Sequence, residues 1–313
     1  MQAYLLHKSG GVDHLILSEI ERPAPKADEV LIETKAISIN PVDVKIRELP
    51  DLLDMVYGTD RPLILGWDIA GVVTAIGQDV TDFKEGDAVF GLVNFPGHGN
   101  AYAEYVTAPA EQLAKIPAGI SFEAAAATTL AALTALQALE PRIKAGDKVL
   151  IHAGSGGVGH FAVQIAKHLG AYVISTSSAD NRDFVLSLGA DEHIDYETQD
   201  FEKIVSDLDF VLDAIGGEVL EKSLTVTKDG QSIISLPSPE FSETVVNYAK
   251  QHDINVSFFS VTSNGSDMQT LKEMLENGTL KPHVCKTFAF ENLADAHRQV
   301  ESNRTVGKAV VKV

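Results

Sequence analysis

The stretch KVLIHAGSGGVGHFAVQIAKHLGA, residues 148–171, joins a short apolar run, a glycine-rich loop and an amphipathic segment. Its glycines at 154, 156 and 159 have the spacing G-x-G-x-x-G, which is a weak signal alone but a strong one between a strand and a helix. The first glycine permits a tight turn, the second lets the backbone approach a pyrophosphate, and the third lets helix and strand pack closely. The helix N-terminus then offers free N–H groups to the phosphates. We therefore predict a dinucleotide-binding loop made of Gly154, Ser155, Gly156, Gly157, Val158 and Gly159.

The pattern on either side of this loop predicts the fold class. From Lys148 to about residue 260, apolar runs alternate with helical segments, which is typical of a doubly wound parallel sheet. Up to about residue 118, short β-type runs are separated by prolines and glycines, which favours an antiparallel barrel or sandwich. Residues 121–139 are helical in pattern, with Ser121 as the N-cap, and their threonines favour a buried helix over a membrane span. The chain is predicted to be an α/β protein.

Composition narrows the possible partners. The 313 residues include 44 acidic and 25 basic side chains, a formal net charge of −19, which disfavours nucleic acid and anionic membranes as partners. The alternative is that the acidic excess only keeps the protein soluble. Cys285 is the one cysteine, so neither an intramolecular disulfide nor a cysteine-cluster zinc site is possible. The N-terminus lacks the pattern of a signal peptide, and we expect a cytoplasmic protein.

The second strand of the parallel region bears on cofactor choice. An NAD site usually has Asp or Glu at the end of this strand, whereas here the run is Ser175-Thr176-Ser177-Ser178, followed by Asp180 and Arg182. A carboxylate about 4 Å from a 2′-phosphate would cost several kcal/mol, whereas hydroxyls and a guanidinium would stabilise the phosphate. We therefore predict NADPH as the cofactor, bound at Ser177, Ser178 and Arg182, although Asp180 and Asp183 weaken the local positive field.

Seven motifs, one of them the glycine loop, are spread over nearly the whole chain and match one enzyme family. They are SINPVDVKIR, LGWDIAGVV, AYAEYV, LTALQAL, AGSGGVG, LGADEHIDY and VGKAVVKV. They resemble the zinc-free quinone oxidoreductase (ζ-crystallin-like) branch of the medium-chain dehydrogenase/reductase superfamily. The resemblance implies a GroES-like β-barrel catalytic domain at 1–120 and 266–313 and a Rossmann domain at 121–265, with the active site in the cleft between them. It also implies a homodimer formed through edge strands of the Rossmann sheets.

The resemblance also explains the only tryptophan. Zinc-dependent members of the superfamily have a cysteine ligand near the position of Asn40, a histidine ligand where Trp67 stands between Gly66 and Asp68, and a third ligand near the Thr128–Thr129 pair. Catalytic zinc needs three protein ligands and an open position, and the soft ligands are missing here. We therefore expect no metal, with Trp67 in place of the zinc histidine.

By the same resemblance, other residues are assigned to the cofactor or the substrate. Asn40 and Asp43 are expected near the nicotinamide ribose with Thr129 beside them, although an Asn-Pro pair can also simply form a turn that Asp43 braces. The other cofactor positions are Tyr196 at the adenine, Gly216, Ser235 and Leu236 facing the nicotinamide, Phe259 and Ser260 near its amide, and Lys308 near the phosphates. Phe259 could instead be a core residue.

The catalytic candidates are Asn40, Asp43 and Tyr57. Tyr57 lies in LPDLLDMVYGTD, a variable segment that lines the substrate entrance in relatives, where it could orient or protonate the substrate. By the resemblance, Arg47 is expected near the cofactor phosphates or the cleft, with an exposed ion pair as the alternative. His98 lies in a loop that could border the cleft.

These residues favour an NADPH-dependent enzyme that transfers hydride to a quinone or another conjugated carbonyl, such as an enone or a 2-enal, without zinc. Two alternatives stay open. One is an alcohol dehydrogenase that has lost zinc and uses another acid, and the other is a non-catalytic NADPH-binding structural or redox-sensing protein.

Overall fold

The computed structural model describes all 313 residues, as fifteen strands and nine α-helices. The strands are β1 (Gln2–Leu6), β2 (Leu15–Glu19), β3 (Glu29–Ile39), β4 (Asp68–Ile76), β5 (Ala88–Leu92), β6 (Tyr105–Pro109), β7 (Leu113–Lys115), β8 (Lys148–Ile151), β9 (Tyr172–Ser177), β10 (Glu192–Asp195), β11 (Leu208–Asp213), β12 (Thr227–Ser235), β13 (Asn255–Phe258), β14 (Val284–Ala289) and β15 (Lys308–Lys312). The helices are α1 (Pro41–Glu48), α2 (Pro50–Tyr57), α3 (Phe122–Leu139), α4 (Gly159–His168), α5 (Arg182–Ser187), α6 (Gly217–Leu224), α7 (Glu243–Gln251), α8 (Gly265–Glu276) and α9 (Leu293–Glu301).

The chain divides into two compact units, which differ slightly from the predicted domains. The first unit contains Met1–Leu133 and Thr262–Val313, and the second contains Thr134–Val261. The first division therefore lies inside α3 rather than before it. The physical reason is that the first half of α3 is bonded to the first unit: the Leu130 N–H, near the middle of the helix, donates to the Asp68 carboxylate at 2.9 Å.

The first unit is built on a seven-stranded sheet in the order β14-β15-β3-β4-β5-β7, with β6 also paired to β3. All its pairings are antiparallel except that of β14 with β15. Strand β3 is its centre, because the eleven residues EVLIETKAISI are rich in β-branched side chains and are almost all buried. β1 and β2 form a separate antiparallel pair. The antiparallel half of the chain thus agrees with the sequence pattern.

The second unit is a six-stranded sheet in the order β10-β9-β8-β11-β12-β13, and every pairing in it is parallel. Counted from β8, this is the order 3-2-1-4-5-6 of a dinucleotide-binding fold, and it confirms the predicted doubly wound sheet. The order reverses between β8 and β11. Ligands of such sheets bind beyond the carboxyl ends of the strands at this point, which is where the glycine loop follows β8.

Helix α3 is the one segment whose length and composition would allow it to cross a membrane. Its apolar window is 78% buried inside the protein, as in the core helix of a folded domain. Ser121 caps its N-terminus by accepting a hydrogen bond from the Ala124 N–H at 3.2 Å, as the sequence predicts. The structure thus agrees with the prediction of a buried helix.

Candidate active site

The glycine loop lies between the end of β8 and the start of α4, and its geometry requires glycine. A Cβ on Gly159 would lie 2.0 Å from the Ala153 carbonyl oxygen, and one on Gly154 would lie 1.9 Å from Ser175 Oγ. The Gly156 N–H donates to the same Ala153 oxygen at 2.9 Å, which closes the turn. No side chain caps the N-terminus of α4, so its positive dipole end is available to an anion. The loop therefore fits the pyrophosphate of a dinucleotide.

A cavity of about 400 Å³ lies beside this loop in the second unit. Tyr196 and Ile215, two of its lining residues, are large apolar side chains that are 59% and 52% exposed. Exposed flat and branched apolar groups of this kind suit a planar base, so the predicted role of Tyr196 at the adenine is compatible with its place in this cavity. The structure therefore gives this cavity the features of an adenosine site.

The floor of this cavity includes His152, which the sequence analysis did not single out. Its Nδ1 is 3.1 Å from Thr176 Oγ1 and its Nε2 is 3.0 Å from Ser223 Oγ. Burial lowers the pKa of His152 to about 4, although the charge of Asp213 opposes the shift. The ring is therefore neutral at physiological pH. Its position at the end of β8, directly before the glycine loop, is the sequence signal that could have identified it.

The three residues predicted to bind a 2′-phosphate differ in how far their side chains are exposed. Ser177 is buried, and its Oγ lies 2.7 Å from His193 Nε2 and donates to the Ser178 carbonyl at 3.1 Å. Ser178 is half-buried, with its Oγ accepting from Asn181 Nδ2 at 3.0 Å, and Arg182 is exposed. The structure thus leaves Ser178 and Arg182 accessible, whereas the Ser177 hydroxyl is bonded within the protein.

The predicted loops after β11 and β12 are held together by Asp213, a residue that the sequence analysis missed. Its carboxylate accepts hydrogen bonds from the Gly216 N–H at 2.9 Å and from Ser235 Oγ at 2.8 Å. The Leu236 N–H donates to the Asp213 carbonyl at 2.9 Å. These three predicted positions therefore form one local structure.

The last two predicted positions of the second unit follow β13. Phe259 is half-buried rather than a core residue, and Ser260 is exposed. The Phe259 N–H donates to the Ser235 carbonyl at 3.1 Å, which joins this segment to the loop after β12. The Arg142 guanidinium lies 5.5 Å from the centre of the Phe259 ring.

A buried polar cluster occupies the first unit around Asn40. The Asn40 Nδ2 donates to Asp68 Oδ2 at 2.8 Å, and the Lys308 ammonium donates to Asn40 Oδ1. Lys308 Nζ also lies 3.8 Å from Asp68 Oδ2. The Asn40 carboxamide is thereby fixed in one orientation. Lys308 is only 3% exposed, and its ammonium balances the Asp68 carboxylate inside this unit; a position near the cofactor phosphates stays a prediction.

Opposing effects act on the charges of this cluster. Burial raises the pKa of Asp68, while Lys308 and hydrogen bonds from Asn40, Thr129 and the Leu130 backbone act to lower it. Burial lowers the pKa of Lys308, while Asp68 acts to raise it. Thr129, predicted beside Asn40, is buried, and its hydroxyl oxygen lies 2.9 Å from the Ala126 carbonyl as well as beside the Asp68 carboxylate. The structure therefore brings Asn40 and Thr129 together around Asp68, an acid that the sequence analysis did not name as a site residue.

Asp43 and Tyr57 lie near this cluster. Asn40 caps α1, Pro41 follows at the first helical position, and Asp43 Oδ2 accepts the Asn40 N–H at 2.7 Å, so the Asn-Pro-x-Asp sequence forms the turn directly. Burial raises the pKa of Asp43 to about 7, with the nearby Asp68 charge adding to the shift. Burial raises the pKa of Tyr57 well above its usual range, and the Asp43 charge adds to this shift also. Tyr57 is thus a neutral phenol.

Tyr57 also borders a cavity of about 450 Å³ in the first unit. His98 lines the same cavity, and its ring lies edge-on to that of Tyr57 with 5.1 Å between the centres. The structure therefore brings together two candidates that are far apart in the sequence.

Trp67 is fully buried under these side chains. Its Nε1–H donates to the Gly97 carbonyl at 2.7 Å, and its ring packs against Tyr57 and Phe95. An indole N–H is a donor only, and Asn40 Oδ1 is already bonded to Lys308. The chain contains no group of three His, Cys, Asp or Glu side chains arranged to hold a metal ion. The residues at this position therefore do not fit a catalytic zinc site.

Arg47 is the other candidate whose placement differs from expectation. Its side chain is 1% exposed, with Nη1 2.7 Å from Glu301 and 3.2 Å from His297 Nδ1, so it forms neither an exposed ion pair nor a free phosphate contact. The physical reason is that α1 packs against α9, which buries the guanidinium among acceptors of both helices. His297 and Tyr102 join it in the core, and neither was identified from the sequence.

Two family models and a protein of known activity match the sequence of this chain. Residues 26–118 match the family described as alcohol dehydrogenase GroES-like domain, and residues 188–311 match the family described as zinc-binding dehydrogenase. The chain is 36% identical over 324 residues to the chloroplastic NADPH-dependent alkenal/one oxidoreductase of Arabidopsis thaliana, covering 99% of this chain and 79% of that one.

Solved structures give the same result. The quinone oxidoreductase of Coxiella burnetii superimposes with a TM-score of 0.93 at 34% identity, covering 100% of this chain and 99% of that one. The Escherichia coli quinone oxidoreductase, solved with NADPH, gives a TM-score of 0.86 at 27% identity, with 100% of both chains covered. These matches confirm the predicted fold, a GroES-like domain with a Rossmann-like parallel sheet. The chain belongs to the zinc-free quinone oxidoreductase branch of the medium-chain dehydrogenase/reductase superfamily.

Proposed function

We propose that this protein is an NADPH-dependent reductase that transfers hydride to a quinone or to another conjugated carbonyl, such as an enone or a 2-enal, without zinc. The observation that carries the proposal is the presence in one chain of a glycine loop that fits the pyrophosphate of a dinucleotide and of a polar cluster that does not fit a metal. The names of the Arabidopsis, Coxiella and Escherichia relatives support the same chemistry.

The second unit holds the cofactor in this proposal. The loop at 154–159 and the N-terminus of α4 bind the pyrophosphate, and the cavity at Tyr196 takes the adenine. Ser178 and Arg182 contact the 2′-phosphate, because both are accessible. When bound, the nicotinamide supplies the hydride.

The first unit supplies hydrogen bonds and a proton. Asn40 is held rigidly by Lys308 and Asp68, so its carboxamide gives a fixed polar contact at low reorganisation cost. Tyr57 is a neutral phenol at physiological pH, as tyrosine ordinarily is, and burial raises its pKa further; it lines the cavity in which we place the acceptor. Its phenol is the proton donor that the reduced acceptor requires.

The chemistry of the acceptor favours a conjugated carbonyl over a simple alcohol as substrate. Oxidising an alcohol requires loss of a hydroxyl proton with a pKa of ~16, which metal coordination brings to roughly 7. At ~1.36 kcal/mol per unit, this help amounts to about 12 kcal/mol. A conjugated acceptor instead spreads the incoming negative charge as an enolate or phenolate, and hydrogen-bond donors with good orientation suffice, since orientation can lower a barrier by roughly 7–11 kcal/mol.

The direct test follows loss of NADPH absorbance with a panel of quinones, enones and 2-enals, with and without a chelator. We expect turnover on the conjugated panel that survives chelation, and no oxidation of ethanol or benzyl alcohol. Efficient alcohol oxidation by metal-free protein would favour a zinc-free alcohol dehydrogenase. Tight NADPH binding with no turnover on any acceptor would favour a structural or redox-sensing protein.

We also propose a homodimer joined through the edge strands β13 of two sheets. The two free edges of the six-stranded sheet are β10 and β13. β10 carries the charged sequence EHID, whereas β13 reads NVSF and has an exposed phenylalanine at its end. An uncharged edge with an apolar side chain is the one suited to pairing with a second copy.

A cytoplasmic location is the last part of the proposal. It is supported by the single cysteine and by the acidic composition, which suit a reducing and crowded aqueous compartment. Cell fractionation followed by immunodetection tests it, and recovery with a membrane or organelle fraction would contradict it.

A further inference from the structure

His152 stands between the end of β8 and the glycine loop, and both of its ring nitrogens are within hydrogen-bond distance of a hydroxyl group. Nδ1 lies 3.1 Å from Thr176 Oγ1 on β9, and Nε2 lies 3.0 Å from Ser223 Oγ on α6. All three side chains are buried. The imidazole therefore joins three elements of the second unit at the point where the loop begins.

The hydrogen bond that Ser223 donates decides which nitrogen of His152 carries the proton. The Ser223 hydroxyl donates to the Val219 carbonyl at 2.7 Å, so toward His152 its oxygen acts as an acceptor. His152 Nε2 must therefore carry the proton, and Nδ1 of the neutral ring is then an acceptor. Burial lowers the pKa of His152 to about 4, although the charge of Asp213 opposes the shift, so the neutral ring is the physiological form.

The acceptor at Nδ1 sets the direction of the Thr176 hydroxyl. Thr176 donates its hydroxyl hydrogen to His152 Nδ1, and the same oxygen accepts the Ala153 N–H at 3.2 Å. The Thr176 carbonyl accepts the next N–H of the chain, that of Gly154, at 2.9 Å. One residue of β9 thus holds two consecutive N–H groups at the start of the glycine loop, and His152 orients its hydroxyl.

The opposite tautomer of His152 would leave hydrogen bonds unmade. With the proton on Nδ1, both His152 and Ala153 would donate to Thr176 Oγ1, and the Thr176 hydrogen would lose its acceptor. Ser223 would then have one hydrogen for two acceptors, His152 Nε2 and the Val219 carbonyl. Because a buried polar group without a partner is destabilising, the tautomer with the proton on Nε2 is the one that the fold selects.

Ala153 transmits this arrangement to the loop. Its φ of 54° lies in the left-handed region, which residues with a side chain adopt rarely. Its carbonyl oxygen accepts the Gly156 N–H at 2.9 Å, so the orientation of Ala153 sets the turn that follows. Ala153, His152 and Thr176 also line the 400 Å³ cavity. A change at the Thr176 hydroxyl should therefore reach both the loop and the cavity.

We propose that His152 is a positioning residue for the cofactor loop: its neutral ring, protonated on Nε2, orients the Thr176 hydroxyl, which holds Ala153 and so keeps the loop in the conformation that binds NADPH. The proposal rests on the proposed NADPH-dependent function. His152 neither gives nor takes a proton in the reaction. When a loop occupies its binding conformation for only a fraction of the time, the apparent affinity falls by that fraction. Loss of His152 should therefore weaken NADPH binding.

The first experiment measures NADPH dissociation constants by calorimetric titration for His152→Phe, Thr176→Val and the double variant. Phenylalanine keeps a ring without nitrogens, and valine keeps the shape of threonine without its hydroxyl. We expect His152→Phe to bind NADPH at least about fivefold and Thr176→Val about tenfold more weakly than the wild type. The double variant should match Thr176→Val, because both changes break one chain of bonds. Losses that simply add would overturn the proposal.

Two further variants serve as a rescue and a control. In His152→Gln the carboxamide offers an acceptor for Thr176 and a donor for Ser223, so NADPH affinity should stay within about twofold of the wild type. His252→Gln changes a half-buried histidine of the same unit that pairs with Asp229, and it should keep wild-type affinity. Wild-type affinity in His152→Phe, or weaker binding by His152→Gln than by His152→Phe, would contradict a role for the hydrogen bonds.

Steady-state kinetics separate loop positioning from a part in the reaction. In His152→Phe the KM for NADPH should rise, whereas kcat at saturating NADPH and acceptor should stay within about twofold of the wild type. A large fall in kcat with an unchanged KM would overturn the positioning role.

Nitrogen NMR of cofactor-free wild-type protein, isotope-labelled at its histidine rings, reads the tautomer directly. His152→Gln lacks the two signals of this ring and so assigns them. We expect a neutral ring with its proton on Nε2, and a proton on Nδ1 would overturn the proposal even if His152→Phe did not fold. Absence of NADPH binding by the wild type would contradict the proposed function and the role of His152 together. Normal wild-type binding that His152→Phe leaves unchanged would contradict the role of His152 alone.

Discussion

Single glycines determine whether the cofactor loop can form. Gly159→Ala would force a Cβ to within 2.0 Å of a backbone oxygen, whereas the Cβ of Gly154→Ala would meet the movable Ser175 hydroxyl and that of Gly156→Ala would lie 3.2 Å from its neighbour. We expect NADPH affinity to fall in the order Gly159→Ala, Gly154→Ala, Gly156→Ala from most to least affected. The first should lose at least about tenfold, or ~1.4 kcal/mol. Calorimetric titration measures the order, and three equal affinities would contradict it.

Cofactor preference is a second property of individual side chains. NADPH should bind at least about tenfold more tightly than NADH, a difference of ~1.4 kcal/mol. Ser178→Asp and Arg182→Gln should reduce NADPH affinity and leave NADH affinity nearly unchanged, because only NADPH carries the 2′-phosphate. Ser177→Asp should lower stability as well, since the Ser177 hydroxyl is buried against His193. Equal dissociation constants for the two cofactors in the unmodified protein would refute the assignment.

At the scale of elements, Arg47 joins α1 to α9. Its guanidinium donates to the Gly10 carbonyl and contacts Glu48, His297 and Glu301. Arg47 is 1% exposed, but Glu48 and Glu301 are 47% and 30% exposed, so Arg47→Met should cost less than the about 3–5 kcal/mol of a fully buried pair and still lower the thermal midpoint measurably. Arg298→Met on α9 is the control, because its pair with Asp295 is more than half exposed and such pairs contribute about 1 kcal/mol or less. Similar midpoints for the two variants would contradict a structural role for Arg47.

Local patterns account for the elements that the sequence predicted. The glycine loop, the Ser121 cap and the buried α3 depend on neighbours within one turn or one helix, and all three occur as expected. The side chains whose contacts the sequence did not predict bond to residues that are far away along the chain. His297 lies 250 residues from Arg47, and Lys308 lies 268 residues from Asn40.

The bonding of Ser177 in the cofactor site could not be predicted from the sequence for the same reason. Ser177 is bonded to His193 across two parallel strands, and no periodicity reveals which strands are neighbours. The sequence thus predicted the type of each element and the cofactor loop, while the buried cluster required the packed structure.

For the whole molecule, association through β13 is the property to test. Phe258 at the end of this strand is 39% exposed, and Phe258→Lys should shift the protein from dimer to monomer in light scattering. Ile204→Lys replaces another exposed apolar side chain of the same unit and should leave the mass unchanged. The net charge of −19 on each copy also predicts weaker association at low ionic strength. A monomer at every concentration and salt level would contradict the dimer.

Ala153 at the start of the glycine loop has the backbone of a left-handed residue, with φ of 54°, although it carries a side chain. This conformation costs about 1–2 kcal/mol for a residue other than glycine, and Ala153→Gly would relieve it. Glycine also raises the conformational entropy of the unfolded chain, which lowers stability by about 0.4–1 kcal/mol. The two effects oppose each other, so the free energy of unfolding should change little. Ala153 also lines the 400 Å³ cavity, and a residue with a side chain here restricts the loop backbone more than glycine would.

Ala153→Gly should therefore act through pre-organisation, weakening NADPH binding with a less favourable entropy in calorimetry and a nearly unchanged melting temperature. If affinity and entropy both stay at wild-type values, the methyl group has no such role. If this result is obtained, Ala153 acts as a conformational restraint. The loop then loses its conformational freedom when the chain folds rather than when the cofactor binds.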